Sequence, residues 1–351
     1  NKNLMNVTYW FRNQLPGGYS IEQIFETIST RISPHHKVIR QTLPFTSSSI
    51  YNMLRNLFFV ISRPAPGIQH ITGDVHYVAL ALGKKKTVLT IHDCVILNNT
   101  ARSSLKHHVF LWLWYKLPIW KSNIVTTISE KSKRDIIAYT GCAPDKIRVI
   151  PNFVSPAFQP VPQNFNTARP RILHIGITPN KNLERLIEAL SGLSCVLEII
   201  GNLHDSLRQM LDQHHISFEN YENISAETMV ERYQAADLVV FVSTYEGFGM
   251  PIIEAQATGR PVVTSNLEPM TAVAGPNGAC LVNPFDVADI RAGILRLQQD
   301  EIYRNTLIQN GLENVRRFTL NAVAQQYLEL YQSLSPTHVR HHQSTQSGIE
   351  I

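Results

Sequence analysis

The stretch Leu238-Val-Val-Phe-Val-Ser243-Thr-Tyr-Glu246-Gly247-Phe248-Gly249-Met250-Pro251-Ile252-Ile253-Glu254 reads as strand, loop and helix in immediate succession. The apolar run 238–243 suits a strand buried on both faces of a parallel sheet. Gly247 and Gly249 permit a backbone approach that a Cβ would block. Pro251 fits the first helical position, where its missing N–H is no loss. The helix it opens would aim free N–H groups and the positive dipole end at the strand's carboxyl end, a setting suited to phosphate. Glu246 and Glu254 flank that setting. Carboxylates do not bind phosphate, so they suit neighbouring hydroxyls instead, as on a ribose and a hexose. A glycine turn with two solvated glutamates is the competing reading.

Outward from this stretch, short apolar runs alternate with helical patterns. Strands are expected at Val7–Phe11, Val38–Leu43, Gln69–Thr72, Thr87–His92, Ile124–Ile128 and Arg148–Ile150, then at Ile172–Gly176, Val196–Ile200, Leu238–Ser243, Pro261–Ser265 and Cys280–Val282. Helices are expected at Ser20–Arg31, Lys106–Leu117, Glu130–Tyr139, Leu183–Leu193 and Ala226–Ala235. Ser20 with Gln23 fits a capping box. Alternation of this kind implies an α/β protein with parallel, doubly wound sheets. Pro151, Pro156, Pro160, Pro162 and Pro170 break the chain midway and mark a linker. The expected units are residues 1–160 and 161–319, a helix at 320–334, and a polar tail at 335–351 carrying His338, His341 and His342. Two such units place a cleft between their strand ends, where ligands of open α/β sheets bind.

The composition agrees with a folded protein: 351 residues, 44% hydrophobic and 17% charged, enough for two cores. The longest near-continuous apolar stretch, Val109–Tyr115, falls well short of a membrane span. No basic-then-apolar leader opens the chain, so a cleaved signal is not expected. Cys94, Cys142, Cys195 and Cys280 form neither a CxxC pair nor a zinc spacing, and a reducing cytosol is the expected setting. Residues 1–150 hold 19 Lys and Arg against 7 Asp and Glu, whereas residues 151–351 hold 13 against 20. The basic half suits phosphates or acidic lipid headgroups, or simply a solvated surface; no nucleic-acid motif accompanies it. Lys84-Lys85-Lys86 reads as a solvated turn before a strand. The aromatic stretch Lys106–Lys116 reads as a helix packed on the core rather than lying in a membrane interface.

Three further segments carry candidate chemistry. In Ile172-Leu-His-Ile-Gly176-Ile-Thr-Pro179-Asn180-Lys181-Asn182-Leu183, Gly176 ends a strand and Lys181 precedes a helix, where its ammonium can reach a phosphate in the same cleft. Gly17-Gly18 follows the first strand, but without GxGxxG or a suitably placed acid, which argues against a nicotinamide enzyme. His92-Asp93 closes another strand at its carboxyl end, where His92 can hydrogen-bond a sugar.

Glu246-Gly-Phe-Gly-Met-Pro-Ile-Ile-Glu254 is similar to the E-x7-E motif of the family 4 retaining glycosyltransferases, which have the GT-B fold. The resemblance runs over about residues 5 to 333. It takes in Gly17-Gly18, Thr90-Ile-His92-Asp93, Thr127-Ile-Ser129-Glu-Lys-Ser-Lys133, Val149-Ile-Pro151-Asn152, Lys181-Asn182-Leu183, Ala236-Asp237, Gly259-Arg-Pro261 and Asn283-Pro284. It implies two Rossmann-like domains facing a central cleft. The second would bind a nucleotide-diphosphate sugar, UDP- or GDP-linked, and the first a glycan or lipid-diphosphate acceptor. The final helix would cross back to the first domain. Transfer would retain configuration and take no cofactor or metal.

By position, the resemblance implies catalytic roles for His92, Glu246 and Lys181: His92 and Glu246 at the donor sugar, Lys181 on the leaving diphosphate. Glu254 would hold the ribose. Gly17, Gly18, Gly176, Gly247, Phe248, Gly249, Met250, Pro251 and Ile252 complete the donor set. The family often has a basic residue where Asn180 or Ile177 stands here, a glutamate missing from Thr271–Gly275, and a glycine where Phe153 stands. The resulting expectation is a hexosyltransferase of cell-surface polysaccharide synthesis, cytoplasmic and peripheral at the inner membrane face. An inactive scaffold, an epimerase or a phosphorylase on the same fold are the alternatives.

Overall fold

The computed structural model describes residues 4–13, 21–34, 36–46, 49–98, 101 and 103–335. Two six-stranded parallel sheets dominate it. The first contains β1 (Asn6–Phe11), β2 (Lys37–Thr42), β3 (Ile68–Ile71), β4 (Thr87–Thr90), β5 (Ile124–Thr127) and β6 (Ile147–Val149), in the order β2-β1-β3-β4-β5-β6. The second contains β7 (Arg171–Ile175), β8 (Val196–Ile200), β9 (Phe218–Tyr221), β10 (Leu238–Phe241), β11 (Val262–Ser265) and β12 (Cys280–Val282), in the order β12-β11-β10-β7-β8-β9. Each order reverses once, between β1 and β3 and between β7 and β10. These are the switch points where such sheets open a crevice. Register is fixed by apolar pairs such as Val7↔Val38 and Ile172↔Leu197.

Strand β9 was not expected from the sequence. Phe218-Glu-Asn-Tyr221 carries no apolar run, because an edge strand is covered on fewer sides, and all four residues are half-buried. Its Glu219 pairs instead with Arg171 at 2.8 Å. Between the sheets the linker is strapped down along its length. Val154 N–H donates to Phe318 O at 2.8 Å, and Arg260 Nη2 donates to Val161 O at 2.8 Å. Asp237 accepts from Asn166 N and Arg171 N at 2.9 and 2.7 Å, which fixes where β7 begins.

The last helix, Leu320–Leu334, lies on the first sheet's side of the molecule. Val323, Tyr327, Leu330 and Tyr331 share a core with Val7, Tyr9, Phe25 and Ile28. A buried polar chain runs through it: Tyr331 Oη meets Tyr9 Oη at 2.9 Å and His70 Nδ1 at 2.6 Å, and His70 Nε2 meets Thr90 Oγ1 at 2.7 Å. Burial pushes His70 down to about 3, so a neutral ring bridges two hydroxyls without bringing a charge into the core. Lys84–Lys86 is a turn before β4, as the sequence indicates. Lys86 is more than solvated, however, since its ammonium donates to Leu334 O at the carboxyl end of that helix.

The expected helix Lys106–Leu117 corrects in two ways. It is α-helical over Leu105–Phe110, π-helical over Leu111–Lys116 and α-helical again over Leu117–Lys121. Pro118 explains the widening: it has no N–H to give to the carbonyl of Trp114, four residues back. His76 Nδ1 donates to that carbonyl instead, at 2.8 Å. The core reading holds for only one face. His107, Trp114 and Tyr115 are buried, whereas Leu105, Val109 and Trp112 are exposed.

Candidate active site

The second sheet's switch point gathers the residues singled out by sequence. After β7 the chain turns at Gly176, whose φ of +89° is left-handed. A Cβ there would sit 3.0–3.3 Å from the Lys181 stem, so the glycine clears the path of that side chain. A single turn, Pro179–Lys181, and Asn182 in the left-handed conformation lead into the helix Leu183–Leu190. Asn182 is buried and donates to Val242 O and Pro284 O at 3.0 and 2.7 Å, which locks the turn against β10.

After β10 the loop 242–249 is zipped to that turn. Thr244 N–H donates to Asn180 O at 2.8 Å, and Asn180 Nδ2 donates to Tyr245 O at 3.0 Å. Asn180 thus serves as backbone glue between the two loops. The zipped loops bring Lys181 Nζ to 2.6 Å from Glu246 Oε1, with Nζ 5.0 Å from the Phe241 ring centroid. Both side chains are mostly buried, so this ion pair is stronger than a surface pair.

Gly249 caps the helix Met250–Ala257 with φ +113°, and a Cβ on it would meet Ile252 at 3.2 Å. Pro251 lies in the first turn, as the sequence indicates. Phe248 turns away into the core against Phe318, with centroids 5.7 Å apart, and Ile252 is fully buried. Phe248 and Ile252 can therefore contribute backbone, not side chain, to a bound ligand. Met250 is half-buried at the helix start.

Glu254 Oε2 accepts a hydrogen bond of 2.6 Å from Tyr233 Oη. Burial pushes the carboxyl up to about 7, and the tyrosine pulls it partway back. Tyr233 itself is driven well above its ordinary range by burial and by Glu254, so it remains a donor. The two glutamates thus differ in kind: one faces a cation, the other a neutral hydroxyl in a packed site. Tyr233 has no local sequence signal, since it reaches Glu254 from the helix Ala226–Ala235.

The first sheet closes the other side. Ser129 Oγ donates to Gly247 O at 2.8 Å, and the Cα of Gly247 faces Asp93 and Ile128. A Cβ at Gly247 would meet those residues at 3.5–3.7 Å, an ordinary contact, so the protein's own packing demands glycine at 249 but not at 247. His92, beside Asp93, is buried and bonds Thr72 O through Nε2 at 3.2 Å, which makes Nδ1 the acceptor nitrogen. Burial lowers its basicity, partly offset by Asp74 and the Thr72 carbonyl. From the helix Glu130–Thr140, Lys131 Nζ reaches to 4.1 Å from the Tyr245 ring centroid. The sequence marks Ser129 only as part of the Thr127–Lys133 string; its role as cap of this helix and its contact across the cleft come from the structure. Gly17 and Gly18 lie outside the described residues.

Two facing doubly wound sheets, with these loops at the second one's switch point, make the GT-B architecture. Sucrose-phosphate synthase from Thermosynechococcus elongatus superposes with a TM-score of 0.75 at 20% identity, over 94% of this chain and 99% of that one. Anabaena HepE, solved in complex with UDP and glucose, gives 0.73 at 18% identity, over 94% and 100%. The family model described as Glycosyltransferase Family 4 matches residues 24–158, and that described as Glycosyl transferases group 1 matches residues 157–314. The chain belongs to the family 4 glycosyltransferases. It is 30% identical over 238 residues to the O-antigen chain mannosyltransferase B of Escherichia coli, 61% of each chain. It is 29% identical over 220 residues to the MMP alpha-(1->4)-mannosyltransferase of Mycolicibacterium hassiacum, 59% of this chain and 53% of that one. The matches thus span between half and two thirds of those relatives' length.

Proposed function

We propose that this protein transfers a hexose, with retention of configuration, from a nucleotide-diphosphate sugar to a glycan or lipid-linked acceptor in cell-surface polysaccharide synthesis. One observation carries the reading. A lysine paired to one glutamate, a helix N-terminus opened by a left-handed glycine, and a second, half-buried glutamate converge at one switch point. In this reading Lys181 swings from Glu246 to the diphosphate, and the N–H groups of the first turn at Met250–Ile252 share the developing charge, so no metal is assigned to that task. Glu246, released, accepts from the sugar hydroxyls, and Glu254 accepts from the ribose. His92 faces the donor sugar with Nδ1 as acceptor. The names of the mannosyltransferase relatives favour a hexose. The acceptor side falls to the first sheet, at the cytoplasmic face of a membrane.

The test is thermal unfolding with UDP, GDP and ADP. Saturation at about 100 times the dissociation constant adds ~2.7 kcal/mol. That is several degrees at roughly 2–4 °C per kcal/mol. One nucleotide should shift the wild type and not Glu254→Ala; no shift with any nucleotide overturns the donor site. Anomeric analysis of the transferred sugar then decides retention.

A further inference from the structure

The helix Ile50–Ser62 is apolar nearly all round, yet it lies on the surface. Its inner side, with Met53, Leu57 and Val60, packs on the first core. Its outer side presents Ile50, Tyr51, Leu54, Phe58 and Ile61, with Ile50 and Phe58 each 74% exposed. A helix apolar on both sides needs a cover on both. The outer face of the stretch 105–121 repeats the pattern with Leu105, Val109, Trp112 and Trp120, all exposed. The two elements cover the same core and meet beneath their outer faces at Tyr77. Tyr77 Oη accepts from Asn56 Nδ2 of the first helix at 2.9 Å, and its ring lies 5.3 Å from that of Trp114 in the second stretch.

Within the two segments themselves the charges have one sign, although Asp145 borders the ridge beside Lys146, whose ammonium donates to Trp120 O. No Asp or Glu occurs between Glu26 and Asp74, or between Asp93 and Glu130, and these two intervals contain the whole ridge. The cations lie against its rings: Arg55 Cζ is 5.3 Å from the Tyr51 centroid, Lys116 Nζ 4.9 Å from Trp112, and Lys121 Nζ 4.7 Å from Trp120. An apolar body with tryptophans and lysines at its margin matches the boundary between acyl chains and anionic headgroups. A second copy docking face to face would bring two basic margins together, which like charge opposes. Among the described residues no helix is long and apolar enough to cross a membrane, so the contact is of the lying-on kind.

We infer that the outer faces of Ile50–Ser62 and of residues 105–121 form one surface that docks this protein on an anionic lipid bilayer. This deepens the reading of a lipid-linked acceptor, and rests on it for its purpose: a docked first domain meets such an acceptor at the membrane. The sequence offers only the basic balance of residues 1–150 as a hint of lipid contact; the structure adds the apolar helix Ile50–Ser62 and places it on the surface.

The experiment is flotation of the full chain with phosphatidylcholine vesicles, with and without phosphatidylglycerol, alongside tryptophan emission. Wild type should float with the anionic vesicles and its emission should shift to the blue. Leu54→Glu with Phe58→Glu should lower the partition by at least about tenfold. Lys116→Gln with Lys121→Gln should lower it severalfold at low salt and hardly at all at high salt. Ile302→Glu, at an apolar residue of the second half that is 81% exposed, should change nothing. Unchanged flotation of the Leu54/Phe58 variant overturns the proposal, as does absence of wild-type flotation. So does a concentration-dependent dimer that Phe58→Glu dissolves while vesicles are ignored. Nucleotide-induced thermal shifts on the same proteins report the donor site separately. A lost shift with intact flotation breaks the functional reading and leaves the docking surface standing; the converse breaks only the surface.

Discussion

The two switch points have the same topology and different chemistry. Between β7 and β10 the loops are zipped by Asn180 and Asn182, two left-handed glycines shape the turns, and a helix of eight residues begins at the crevice. Between β1 and β3 the crevice holds Arg12, paired with Glu22 and 3.2 Å from Asp74, lying over Gly73. One crevice offers N–H groups and a lysine with a single carboxylate partner. The other sets one guanidinium against two carboxylates. Topology therefore fixes where a ligand can sit, while loop residues decide what charge it can carry.

The sharpest test of that contrast is Lys181→Ala, which should raise the barrier to transfer by ~3 kcal/mol, on the order of a hundredfold in turnover. Arg12→Ala at the other switch point should leave the nucleotide-induced thermal shift intact. If Arg12→Ala abolishes the shift, the division of labour between the crevices fails.

A second test uses pH. Glu254 sits at about 7 in the folded protein against an ordinary 4.5, so the folded state holds the extra proton between those values. Its contribution therefore falls as pH rises from about 4.5 to 7, and the full penalty, about 1–3 kcal/mol, is present above 7. Glu254→Gln should be more stable than wild type at pH 8 and equal to it near pH 4.5, by denaturant melts. Nucleotide affinity in the wild type should rise through pH 7 as the carboxylate forms; a flat profile would separate Glu254 from the ribose.

Tyr233→Phe removes the hydroxyl that favours the charged carboxylate. The midpoint of that affinity profile should move to higher pH, with a loss of about tenfold in affinity near pH 7.5, from ~1.5 kcal/mol for a charge-assisted bond. Smallest of all, Ser129→Ala should cost ~1 kcal/mol, because it removes a helix cap and the bond to Gly247 together. Melting temperature reads the cap, and a change in nucleotide affinity beyond that loss reads the bond across the cleft.

Much of this was legible beforehand because the signals are local. Buried parallel strands announce themselves as apolar runs, so eleven of the twelve strands among the described residues fall at or within a few residues of their expected places, and edge strand β9 is the exception. The glycine loop and Pro251 likewise carry their conformations in their own residue types. Asp237, which the sequence marks only through the resemblance, is the carboxylate that starts β7. What failed to show depends on partners distant in sequence. The sequence places Lys181 near a phosphate, whereas its pairing with Glu246 depends on two loops zipped together by distant residues.

By itself, the sequence determined two doubly wound sheets, the linker between them and the chemical types gathered at one strand end, because periodicity, proline and glycine act over a few residues. The tertiary structure alone decided that Tyr233 tunes Glu254, that Ser129 reaches Gly247, and that one face of residues 105–121 looks outward beside Ile50–Ser62. Those outcomes depend on which elements pack together, as where Ile50–Ser62 and residues 105–121 cover one core. The same apolar residue is core or surface according to what is placed over it.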